Sequence, residues 1–223
     1  MVPFEHELDE LKRKLLTMAG HASGAVDRSL KALVERNDTL ARGIKEDDCI
    51  LDKLEIEIDE IGIKLLGQGP EAVDLRFIAV AMKISHDLER VGDEATTIAR
   101  RAIELNTEPQ LKPYIDIPRM AEMGLQMLKE GMEALVERDP AKARAVIPRD
   151  KVVDAINKQL HRELASFMVE KPETIGRCLH LMVVSKSVER IADHATNIAE
   201  EVVYLYEGRD IRHSPEVKRG TAK

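Results

Sequence analysis

Four times, at equivalent places in the sequence, an acidic residue is followed four positions later by an aspartate: Asp48 and Asp52, Glu89 and Asp93, Asp150 and Asp154, Glu189 and Asp193. On a helix that spacing sets both carboxylates on one face, one turn apart, where like charges cost stability unless something offsets them. Carboxylates without cysteine, and with histidine only as an optional neighbour, suit hard or borderline cations such as Mg²⁺, Ca²⁺, Mn²⁺ or iron. His86 and His194 are the nearby candidates, and both read as exposed helical residues. Spacing alone leaves open whether the acids are a ligand set or a solvated helix face.

The elements that carry them are helical. Leu8, Leu11, Leu15, Met18, Ala22 and Ala25 recur in steps of three and four, the spacing of one buried helix face. Leu51, Leu54, Ile58, Ile61 and Leu65 mark a second stripe, and a third runs from Phe77 through Leu88 and Val91 to Leu105. Asn37-Asp38 separates the first two, and Gly67-Gln68-Gly69-Pro70 the next two. Pro109, Pro113 and Pro118 then mark a connector between Asn106 and Pro118. A fourth helix is expected from Arg119 to Arg138, a fifth after Asp139-Pro140, and a sixth after Lys171-Pro172.

The halves are copies. Ala32-Leu33-Val34-Glu35-Arg36 returns as Ala134-Leu135-Val136-Glu137-Arg138, and Leu88-Glu89-Arg90-Val91-Gly92-Asp93 as Val188-Glu189-Arg190-Ile191-Ala192-Asp193. The expected fold is all-α, two tandem pseudo-symmetric three-helix bundles of six long helices. The first repeat is placed at 1–108, the connector at 109–118, the second repeat at 119–208 and a polar tail at 209–223. If the second and third helices form a hairpin about Gly69, Asp48 and Asp52 lie about 19 residues before the turn and Glu89 and Asp93 about 22 after it. At ~1.5 Å rise per residue the pairs then differ in height by only ~5 Å. The second hairpin, turning near Pro172, matches its own pairs at least as closely. On a helical wheel the acids fall on the flank or far side of the apolar stripes, so a site there is expected at the surface.

Other residues read as structural. Met120, Met123, Met127 and Met132 suit gap-filling in a core, and Gly124 and Gly131 a close approach of helices. Cys49 and Cys178 lack C-x-x-C spacing and read as reduced thiols, Cys49 as a packing residue rather than a ligand. With 43% apolar but only 3% aromatic residues and no Trp, the core must be aliphatic. A net charge of −7 argues against a nucleic-acid partner, and the basic residues Lys218, Arg219 and Lys223 sit only at the extreme end. No window approaches the ~18 apolar residues of a membrane span, nor does Met1-Val2-Pro3-Phe4 open a signal core, so a cytoplasmic protein is expected. A carboxylate-bridged di-iron oxidase would need Glu-x-x-His on two helices, and no histidine in these helices has Glu three residues before it. A metal-free helical scaffold is the stronger alternative.

The runs Asp74-Leu75-Arg76, Leu88 to Asp93 and Ile98-Ala99, with Val188 to Val202 and Gly208-Arg209-Asp210-Ile211-Arg212-His213, resemble the paired signature of the PhoU family. The resemblance spans essentially the whole chain. It implies two three-helix bundles binding metal ions or clusters through acid-x-x-x-Asp motifs, which fall on the eight acids above. The ions implied are divalent or iron, with Fe, Zn, Mn and Mg as candidates. It also implies a non-enzymatic accessory protein, a homodimer, that limits uptake by the phosphate-specific ABC transporter and helps silence the phosphate-starvation regulon. The implied partners are the transporter's ATPase subunit and a phosphate-sensing histidine kinase. One departure stands in the second half, where Ile175-Gly176-Arg177 replaces Asp74-Leu75-Arg76; it argues against the halves binding partners identically.

Overall fold

A computed structural model describes residues 3–212. The expectations on Lys218, Arg219 and Lys223, and on His213 in the tail, lie outside the described residues. The helices are α1 (Pro3–Val34), α2 (Asp38–Leu66), α3 (Ala72–Asn106), α4 (Asp116–Glu137), α5 (Pro140–Val146), α6 (Asp150–Glu170) and α7 (Ile175–Glu207). No strand occurs among the described residues.

The six expected long helices are present, with two local differences. Pro118 lies inside the first turn of α4, not in the connector. A first-turn residue has no intrahelical acceptor for its N–H, so proline costs nothing there. The fifth helix is interrupted by a 3-10 turn at Ile147–Arg149, which divides it into α5 and α6. Pro148 is the cause, because its ring and missing N–H break the α-helical ladder.

The repeat extends to the helix caps. Arg36 and Arg138, the last residues of the duplicated segment, both take the left-handed conformation, with φ of 55° and 58°. Each is followed by a side chain that caps the next helix: Asn37 accepts from the Leu40 amide, and Asp139 from the Ala141 and Lys142 amides.

Helices α1, α2 and α3 close one bundle, and α4 to α7 the other. The third helix of each half is the most buried. Ile84, Leu88, Val91, Ala95 and Ile98 on α3, and Val184, Val188, Ile191, Ala195 and Ile198 on α7, are fully enclosed. As expected, Met120, Met127 and Met132 are core residues. A Cβ on Gly124 or Gly131 would reach the backbone of Ala192 or of Ala195 and Ala199, so α4 and α7 do approach closely there. Cys178 is buried, but Cys49 is exposed and does not pack.

The two bundles join through α3 and α7, which run antiparallel in constant register. Glu104 meets His180 at 3.0 Å, Glu94 meets Arg190 at 3.1 Å, Asp87 meets Asn197 at 3.1 Å, and Lys83 meets Glu201 at 3.1 Å. Each step along α3 is matched by an equal step back along α7. The arginine shared by Asp74-Leu75-Arg76 and Ile175-Gly176-Arg177 acts alike on both sides of this joint. Arg76 donates to the Leu205 carbonyl at 3.3 Å, and Arg177 to the Pro109 carbonyl at 2.9 Å. Arg76 thus reaches the carbonyl-rich end of α7, where positive charge is favoured, and Arg177 the connector just past α3.

The halves also exchange volume. Gly92 is buried on α3, and a Cβ there would overlap Leu51 Cδ1. At the matching positions the second half has Ala192 and Val153, a larger residue against a smaller one. Gly92→Ala should therefore destabilise the protein by about 1–2 kcal/mol, overpacking outweighing the ~1 kcal/mol gained in helix propensity. Adding Leu51→Val should recover most of that loss in urea unfolding. A double variant no more stable than Gly92→Ala would contradict this packing.

Candidate metal centre

The four acidic pairs lie on the α2–α3 and α6–α7 hairpins. In the first half, α2 presents Asp48, Asp52, Glu55 and Asp59 along one stripe, and α3 presents Thr96, Asp93, Glu89 and His86 against it. The register is fixed by two contacts. Thr96 Oγ1 donates to Asp48 at 3.0 Å, and His86 Nδ1 lies 3.0 Å from Glu55 Oε1. Asp48 and Asp52 are therefore level with Asp93 and Thr96. Glu89 sits about one turn along, level with Glu55, which accounts for the ~5 Å of mismatch expected from the rise per residue.

These carboxylates are only partly in water. Asp52 is exposed, as a surface site requires, but Asp48, Glu89 and Asp93 are half-buried. Burial pushes the Asp48 carboxyl up; the Thr96 hydroxyl opposes this, and Asp52 and Asp93 add to it. Burial likewise raises Glu89, with Asp93 and Glu55 adding to it and Arg90 and His86 opposing. Asp93 has a cation of its own, Arg90, at 3.1 Å.

In the second half all four acids act on one another. Asp150 is pushed up to about 6, first by burial, then by Asp193, Asp154 and Glu189. Asp193 is raised by burial and by Glu189. Glu189 is the most buried of the eight, 9% exposed, and pairs with the ammonium of Lys186. Asp154 faces Lys158 at 3.6 Å. Thr196 holds the position that Thr96 holds in the first half, but its hydroxyl has no partner, and Asp150 Oδ1 is buried without a donor among the described residues. The two histidines differ. His86 is more than half exposed and beside the acids, whereas half-buried His194 is drawn into the joint by Asp87 at 2.8 Å.

A cation fits this donor set. Hard oxygen ligands converge from two helices, and enclosed carboxylate oxygens at Glu89 and Asp150 lack hydrogen bonds, which buried acceptors rarely do. Sequence spacing did not single out Glu55 and Asp59 because that acidic pair has no copy: Asn157 and His161 stand in its place. One donor atom each from Glu55, His86 and Glu89 lies within 4.8 Å of the other two.

The architecture defines a class: tandem three-helix bundles joined through their third helices, each carrying a carboxylate-lined hairpin. The family model described as PhoU domain matches residues 15–102 and again 117–202, and the chain belongs to that family. It is 38% identical over 222 residues to the phosphate-specific transport system accessory protein PhoU homolog of Pseudomonas putida, covering 99% of this chain and 86% of that one. Its identity to the Aquifex aeolicus protein of the same description is 40%, over 96% of this chain and 97% of the other. The crystal structure of PhoU from Pseudomonas aeruginosa superposes with a TM-score of 0.89 at 37% identity, over 92% of this chain and 100% of that one.

The raised acids set a pH dependence. Burial pushes Glu200, on the next turn of α7 after Thr196, up to about 7, and Asp150 stands at about 6. An acid whose folded pKa exceeds its unfolded value favours folding while protonated, and that contribution disappears as pH rises through the folded pKa. Chelator-treated protein should therefore melt at a lower temperature at pH 8 than at pH 5, the decline beginning above the ordinary carboxylate values of 3.8 and 4.5 and levelling off above about 7. Glu200→Gln should flatten the upper part of that profile. An unchanged profile would show that Glu200 does not titrate in this range.

Proposed function

We propose that this protein is a cytoplasmic regulator of phosphate uptake that works through protein contacts and not through catalysis. The observation that carries the reading is the match of both halves to the PhoU family, extending over nearly the whole length of relatives described as accessory proteins of phosphate-specific transport. No helix among the described residues is long and apolar enough to cross a membrane. Its route to a transporter is then a docking surface. The partners in this reading are the ATPase subunit of the phosphate ABC transporter and a phosphate-sensing histidine kinase, with the protein acting as a homodimer.

The eight acids Asp48, Asp52, Glu89, Asp93, Asp150, Asp154, Glu189 and Asp193 hold divalent or iron ions in this proposal. A bound cation supplies positive charge that offsets carboxylate repulsion and ties the two helices of each hairpin together. The protein's own groups prepare for it: Thr96 orients Asp48, and burial of Asp150 and Asp193 heightens their demand for a counter-charge.

The test is genetic. Deleting the gene should derepress phosphate-starvation genes and permit excess phosphate uptake in phosphate-rich medium, and the wild-type gene should restore both controls. Normal repression and uptake in a clean deletion with no second copy would overturn the regulatory reading.

A further inference from the structure

The internal repeat allows each half to serve as a comparison for the other. On α2 and α6 the acidic pairs are offset by 102 positions, and on α3 and α7 by 100. Glu55 then corresponds to Asn157, His86 to Lys186, and Glu89 to Glu189. The hairpin register supports this: His161 Nε2 lies 2.9 Å from Ser185 Oγ, which places Asn157 level with Glu189 just as Glu55 is level with Glu89. Where the second half has an ammonium ion paired with Glu189, the first half has an imidazole and a second carboxylate facing Glu89. The second half supplies its own cation. The first half presents three ligands and no lysine.

We infer that Glu55, His86 and Glu89 form a transition-metal site, one that the second half, with Asn157 and Lys186 in place of Glu55 and His86, does not reproduce. The inference rests on the reading of these hairpins as cation-binding, and adds a ligand set and a metal class to it. Imidazole suits zinc, iron and their first-row neighbours and discriminates against Mg²⁺ and Ca²⁺, which take oxygen ligands. The geometry is close to what is needed. Metal bonds of about 2.1 Å place tetrahedral ligand atoms roughly 3.4 Å apart. His86 Nδ1 and Glu55 Oε1 are 3.0 Å apart, and the whole set lies within 4.8 Å. Small side-chain rotations close the site. Glu89 Oε2 is enclosed and lacks a hydrogen bond; Arg90 Nε approaches it only to 3.5 Å. Glu55 and His86 border an open surface groove of about 600 Å³, which gives an ion its way in.

The second half shows what removing the site requires. Lys186 places its charge on Glu189, and Asn157 takes away the second carboxylate while staying buried. These two substitutions take away the imidazole and one carboxylate, so a site of the same composition does not form in the second half.

The experiment is a Zn²⁺ titration of untagged, full-length protein labelled with ¹⁵N-histidine, followed by imidazole ¹⁵N shifts. The chain has 7 histidines, and the ring signal lost in His86→Gln identifies the one in question. Its Nδ1 should move to a metal-bound position at one equivalent. Glu55→Gln should weaken that binding at least tenfold, and Lys186→His with Asn157→Glu should create a second responding ring. A His86 ring unmoved at saturation would overturn the inference. If Asp48→Asn, Asp52→Asn and Asp93→Asn together abolish zinc uptake while His86 never responds, the acidic-pair reading survives and this inference falls. A His86 response that persists in that triple variant upholds the inference and removes those acids from the first-half site.

Discussion

The antiparallel packing of α3 on α7 is the constraint from which the rest of the molecule follows. Each helix carries, besides the face buried in its own bundle, a second polar and charged face that pairs with the other half. Lys83 and Glu201, Asp87 and Asn197, Glu94 and Arg190, and Glu104 and His180 keep one register along the joint. Partly exposed ion pairs of this kind contribute about 0–1 kcal/mol each, so their role is alignment, while the enclosed aliphatic residues stabilise the fold. With the register fixed, Arg76 falls at the end of α7 and Arg177 just past the end of α3, and the acidic seams are left at the α2–α3 and α6–α7 hairpins.

At those hairpins the protein keeps like charges together in partly dry surroundings and counters them differently in each half. The first half uses a hydroxyl at Asp48, a guanidinium at Asp93 and an imidazole between two glutamates. The second half uses the Lys186 ammonium at Glu189 and leaves Asp150 protonated up to about pH 6. Gene duplication explains the shared backbone, down to the left-handed Arg36 and Arg138. The divergence at 86 and 186, and at 55 and 157, lies at the seams, where a change of charge alters binding without disturbing the core.

Most of the fold was legible in the sequence because aliphatic stripes and duplicated segments are local signals. The caps at Asn37 and Asp139 and the turn at Gly69 stand where composition places them. Pro118 was assigned to the connector, and Pro148 was passed over. The first sits where a helix tolerates proline, and the second interrupts a helix whose apolar stripe continues past it. The acidic pairs were legible because they repeat. Glu55 escaped notice for the converse reason, since a residue without a copy gives no repeat signal. His86 was read as an exposed helical histidine, which it is, but its contact with Glu55 depends on hairpin register that spacing fixes only to within a turn. The joint between the halves had no sequence signature of its own, because its pairs lie as many as 129 positions apart.

The central claim is that the hairpin carboxylates are cation sites and not merely a solvated surface. The most direct measurement is anomalous X-ray scattering from crystals of the untagged protein grown with Zn²⁺ or Mn²⁺, recorded on both sides of the metal's absorption edge. The account predicts anomalous peaks within bonding distance of carboxylate oxygens in the α2–α3 and α6–α7 seams. Peaks confined to other surfaces, or none at these acids under saturating metal, would contradict it.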